Sequence, residues 1–171
     1  MGRQWPDTVV NALRCVTALA GLMALGTVLT VVFEDDLIRS WAEGNPGARE
    51  ILREGGVEAL KNSSITPPAF VPVVVVLFVV MLCLFGVLRV FVREGYEWAR
   101  LSLAAVALLL GLGAGIIAFR EDPPLVFVLL CVLTMLVDLA LLVFLAHPDT
   151  TDYIHGAWLV HHDAADVSDP T

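Results

Sequence analysis

Four runs of about twenty apolar residues each, at positions 12–33, 67–91, 99–119 and 124–146, take up most of this 171-residue chain. A run of that length crosses the ~30 Å hydrocarbon core of a bilayer as a helix. A soluble core could not hide four of them. In lipid every backbone N–H and C=O has to be bonded within the protein, so each run is expected to be helical. That includes the valine-rich stretch 71–80, whose composition would suit a strand in water. The links between runs two and three and between runs three and four are too short for anything but antiparallel neighbours. The sequence therefore predicts an all-α, antiparallel four-helix bundle in the membrane, with a partly helical exterior loop over 34–66.

Composition agrees. Hydrophobic residues make up 58% of the chain, above the ~45–50% usual in soluble domains. Charged residues make up 16% and gather between the apolar runs. A formal net charge of −8 argues against nucleic acid, whose phosphates need a basic patch. Cys15, Cys83 and Cys131 fall in three different runs with no disulfide or metal-ligand spacing, so they read as small hydrophobes.

Taken in order, Trp5 stands where an interfacial aromatic would sit ahead of the first run. Ala18-Leu19-Ala20 imitates a signal-peptide cleavage site but comes too early in the apolar stretch, so the first run reads as an uncleaved span. The loop 34–66 opens on Glu34-Asp35-Asp36 and offers two short helices, near 37–43 and 48–60. Asn45 is the expected cap of the second, with Pro46 in its first turn. Such a segment suits a surface cap or a partner-docking lid. Asn62-Ser63-Ser64 is a glycosylation sequon set too close to the next span for modification to be expected. In the third run Gly111 and Gly115 form G-x-x-x-G, a face on which two helix backbones approach closely. Residues 148–171 form an acidic, histidine-containing tail expected to be mostly disordered, with one short interfacial or partner-binding turn formed by Tyr153, Ile154, Trp158, Leu159 and Val160.

Basic residues divide evenly between the two sides, Arg3, Arg14, Arg89, Arg93 and Arg100 against Arg39, Arg49, Arg53, Lys61 and Arg120. The first set lies against span ends, where its topogenic effect is strongest. The expected arrangement is a plasma-membrane protein with both termini cytoplasmic.

One residue breaks the apolar pattern. Asp138 lies inside the fourth run, where a carboxylate costs at least ~2.5 kcal/mol and calls for compensation. Cys131, Thr134 and Asp138 share a helix face and form a polar stripe. Arg14 on the first span, or Arg89 on the second, is the candidate counter-charge. Three roles stay open for Asp138: a staple paired with arginine or bonded to Thr134, a neutral acid, or an ion or proton site. No second acidic residue is buried in a span, which weakens transport.

His155, His161, His162 and Asp163 match no structural zinc pattern, so neither a metal nor any other cofactor is expected. No nucleophile elbow, P-loop or H-E-x-x-H motif is present, leaving enzyme activity without support. The expected role is a non-enzymatic accessory subunit in the lipid bilayer, binding a protein partner or another copy through its helices. The alternative is a small transporter or channel subunit using Asp138.

The segment Gly95-Tyr-Glu-Trp98-Ala-Arg100 resembles the G-x-x-W-A-R pattern of uncharacterised small four-span membrane proteins of actinobacteria. Leu145-Ala-His-Pro148 followed by Tyr153 is similar to their ends. The resemblance covers the last three spans and implies an architecture, not a reaction. It implies that Trp98 and Arg100 are interfacial anchors, with the arginine reaching to the headgroups.

Overall fold

The computed structural model describes residues 6–65, 67–118 and 124–154. These form α1 (Asp7–Val32), α2 (Glu34–Glu43), α3 (Pro46–Lys61), α4 (Phe70–Arg93), α5 (Glu97–Ala118), α6 (Leu125–Ala146) and α7 (Pro148–Ile154). Four of them, α1, α4, α5 and α6, are long and apolar enough to cross a bilayer, and they pack in a ring in which each touches the helices before and after it. This is an all-α, four-helix, multi-pass membrane protein.

The boundaries follow local chemistry. Pro6 and Asp7 start α1 earlier than the apolar run does, because the proline cannot continue a helix backwards and the acid suits its positive end. Glu34, Asp35 and Asp36, expected to open the loop, are the first turn of α2 for the same reason. Pro46 starts α3 as expected, but no side-chain bond comes from Asn45. Gly56, at φ 69°, kinks α3 where a residue with a side chain would be strained. The α2–α3 hairpin has a small core of its own around Ile38, Ala42 and Leu60. It is tied outside by an ion pair of 2.9 Å between Lys61 and Asp35.

The main core is not spread evenly along the bundle. It takes Val9, Leu13, Val16 and Leu19 from the first half of α1, Phe85, Leu88 and Val92 from the last half of α4, Leu103 and Ala107 from α5, and Leu141 and Leu145 from α6. All of these lie toward the end that carries both ends of the described chain. The bundle is tight there and looser toward the α2–α3 cap.

That tight end is also sewn together by polar groups. The opening of the expected tail is ordered: α7 lies against it, with Thr150 fully buried. The Thr150 hydroxyl donates to the Phe144 carbonyl at 2.8 Å and lies 3.0 Å from that of Thr8. Tyr153 donates to the Arg93 carbonyl at 2.8 Å. Gly95, at φ 88°, turns the chain from α4 to α5 directly beneath the Tyr153 ring. Thr150→Val keeps the side-chain shape and removes the donor. It is expected to cost about 1 kcal/mol, read as a lower denaturant midpoint in detergent.

Cys131 is buried and Cys15 half-buried, but Cys83 faces outward, contrary to its expected burial. The α4 surface around it is lipid-facing, and a thiol is apolar enough for that position. His155, His161 and His162, where no metal is expected, lie outside the described residues, as do Asp163 and the rest of the tail.

Candidate functional site

Asp138 is the centre of the candidate site. The buried residues of α6 are Cys131, Asp138, Leu141 and Leu145, at intervals that place them on one stripe. Leu141 and Leu145 key that stripe into the main core and so fix the rotation of α6. Asp138 follows them inward and is 3% exposed.

The height at which it sits decides its surroundings. On the facing helix α5 the nearest position is Gly111, where a methyl group would lie 3.6 Å from Asp138 Oδ2 and 3.9 Å from its Cβ. Gly111 follows Arg100 by three helical turns, about 16 Å, which puts the carboxyl near the middle of a ~30 Å hydrocarbon core. The α5 residues set toward the acid are small, so Asp138 is covered by close approach of the α5 backbone at Gly111. A groove of about 850 Å³ opens beside it, lined by Ala107, Gly111, Gly115, Met135, Asp138 and Leu142 among others. Leu112, Ile116 and Leu139 stand on its rim, each at least 60% exposed, so the groove faces lipid.

Neither expected counter-charge reaches the acid. Arg14 donates to Asn11 Oδ1 at 3.1 Å, and Arg89 donates to the Thr17 hydroxyl at 3.1 Å. Both arginines belong to the α1–α4 side of the bundle, whereas Asp138 faces α5. Thr134 does not bond Asp138 either, since its hydroxyl donates to the Leu130 carbonyl at 2.9 Å. That is the usual back-bond of a threonine within a helix. Both carboxyl oxygens of Asp138 are buried without a hydrogen-bond partner among the described residues. The staple through Arg14, Arg89 or Thr134 is therefore replaced by an unsatisfied acid. An unpaired buried polar group costs about 1–3 kcal/mol, and more if charged.

The other singled-out residues fall in two places. Gly111 and Gly115 pack α5 against α6 within the one chain, Gly115 facing Met135. Trp98 is half-exposed and packs at a tilt against Phe91 with ring centres 4.9 Å apart, and Tyr96 meets the same ring edge-on. Arg100 turns toward α7 and donates to the Thr151 hydroxyl at 2.9 Å. That bond ties the start of α5 to the chain beyond α6. No cluster of metal-ligating side chains forms among the described residues.

The meeting of Asp138 with Gly111 was not evident from sequence, although each had been noticed separately. Both lie on predicted buried faces, and that was the available signal. Comparison of the chain with protein-family models, curated proteins and solved structures finds no match.

Proposed function

We propose that this protein is a non-enzymatic accessory subunit of a plasma-membrane complex, and that it holds a partner's transmembrane helix in the α5–α6 groove. The observation that carries the reading is the Asp138 carboxyl, buried and unbonded on the floor of a lipid-facing groove. A partner span bearing an arginine or lysine near its centre supplies what the acid lacks. Pairing two intramembrane charges relieves a cost that each bears alone. The small residues Ala107, Gly111 and Gly115 along the groove leave room beside the acid for the partner's side chain. A second copy of this chain cannot provide that base at mid-depth. The basic residues on the described spans are Arg14, Arg89, Arg93 and Arg100, all toward one end of the bundle.

The test is co-reconstitution in liposomes with a synthetic poly-leucine span carrying one central arginine, against the same span without it. Association of the arginine span alone is expected, read by energy transfer between labels. Equal binding of both spans, or of neither, overturns the reading. A proton or cation flux through the protein alone, lost in Asp138→Asn, would make it a transporter instead.

The same reading sets both termini in the cytoplasm, supported by Arg89, Arg93 and Arg100 packed at one end of α4 and α5. A C-terminal reporter that is active only outside the cell would reverse it.

A further inference from the structure

A second concavity lies between α1 and α4, about 430 Å³ in volume and lined by Val10, Leu13, Arg14, Thr17, Ala18 and Arg89. It brings two guanidinium groups from different helices to one lipid-facing cleft. Each is oriented by a neutral acceptor, Arg14 by Asn11 and Arg89 by the Thr17 hydroxyl. Neither has a carboxylate within ion-pair distance among the described residues. The contrast is informative, since the cap's Lys61 has an acid in contact. Arg89 precedes Arg93 by one helical turn, about 6 Å, and the Arg93 carbonyl is held by α7 at the tight end of the bundle. The cleft therefore opens at headgroup depth. Its remaining walls are apolar: Val10 and Leu13 flank Arg14 on the outer side, and Ala18 lies one turn further in along α1.

We propose that this cleft binds an anionic phospholipid, with Arg14 and Arg89 gripping the headgroup phosphate between the flanking Val10 and Leu13, and the glycerol and first acyl carbons running inward over Ala18. Arginine suits the task because its planar fork bonds two phosphate oxygens at once. Thr17 is a positioning residue, aiming Arg89 by accepting one of its N–H groups while leaving the others free. A basic pocket between spans at a leaflet surface is the arrangement that selects acidic headgroups. The site does not depend on Asp138, which faces the other side of the bundle, so either proposal can fail without the other.

The full chain, purified in mild detergent, is titrated with phosphatidylglycerol, with phosphatidylcholine of the same acyl chains, and with inorganic phosphate, and bound molecules are counted by native mass spectrometry. The wild-type protein is expected to hold one phosphatidylglycerol in preference to phosphatidylcholine by about tenfold or more, since each arginine contributes on the order of a fewfold at the surface. Arg14→Gln with Arg89→Gln is expected to abolish the preference, while Arg39→Gln on the opposite side leaves it intact. A wild-type protein that does not distinguish the two lipids overturns the site, whether or not the variants fold. So does a folded double variant that keeps the preference. Competition by inorganic phosphate at the lipid's own concentration overturns the lipid as ligand and leaves a site for free anions.

Discussion

Asp138→Leu is expected to make the isolated protein more stable and, in the same molecule, to abolish docking of a basic partner span. The two effects run in opposite directions because they arise from one carboxyl. Leucine branches at Cγ as aspartate does, so the substitution keeps the shape that fits against Gly111, where the carboxyl oxygen now lies 3.6 Å from the position a methyl would take. What it removes are two buried oxygens that no described residue bonds. Replacing an uncompensated polar group by a well-packed hydrophobe should stabilise the protein by about 1–3 kcal/mol. Denaturant titration in detergent reads that gain as a higher midpoint with unchanged slope. Binding of the arginine-bearing span should fall about tenfold or more, since interhelical polar contacts in lipid contribute roughly 1–2 kcal/mol. A structural staple predicts the reverse on the first measurement. If Asp138 held the helices together through a bond within the chain, leucine would lower the midpoint, and the proposed role would fail.

Much of this architecture was legible from residue types and their period. The four apolar runs, their antiparallel order and the proline start of α3 follow from hydrophobic length and backbone chemistry alone. The start of α2 was misplaced because Glu34, Asp35 and Asp36 look like a solvated loop. They also favour the positive end of a helix, and that effect prevails. The environment of Asp138 was harder to read. Periodicity shows which residues of α6 share a face, but not which neighbour that face meets. Charge complementarity suggested Arg14 or Arg89. The actual choice was made by Leu141 and Leu145, whose burial turns the stripe into the core and toward α5. The arginines then stay on the α1–α4 side with Asn11 and Thr17. Packing of large apolar side chains outweighed a single attractive pair, whose arginine would also have had to leave its hydrogen bond to Asn11 or Thr17.

The uneven core explains why a groove exists at all. Toward the end carrying α7, large side chains such as Leu88, Leu103 and Leu141 are buried at the centre of the bundle. Further along, α5 presents Gly111 and Gly115 toward α6, so the space between those helices is no longer filled from that side. Met135 and Leu142 close part of the gap, and the remainder is open to lipid. A bundle built only for stability would put leucine there. A carboxyl on α6 level with a glycine on α5 is the feature on which the proposed occupant from another chain rests.

Substitution at Gly111 separates the shape of that groove from its chemistry. Gly111→Ala adds a methyl in ordinary contact with Asp138, at 3.6 Å from Oδ2 and 3.9 Å from Cβ. Alanine also favours a helix over glycine by about 1 kcal/mol. The variant is therefore expected to fold, to be slightly more stable, and to dock the arginine span with only a few-fold loss. Gly111→Ile builds a branched chain from a Cβ already 3.6 Å from Asp138 Oδ2, so it fills the groove floor and covers the carboxyl, and docking should fall at least about tenfold, or roughly 1.4 kcal/mol. Gly115→Ala is the milder control, because its methyl would meet only the flexible end of Met135, at 4.0 Å. Combining Gly111→Ile with Asp138→Leu should add little to either alone, since both act on one contact and such effects are not additive. Full docking by Gly111→Ile would mean that the partner helix does not lie in this groove, even if Asp138→Leu abolishes association. Loss on both, with the protein folded in each case, requires the acid and the space beside it together.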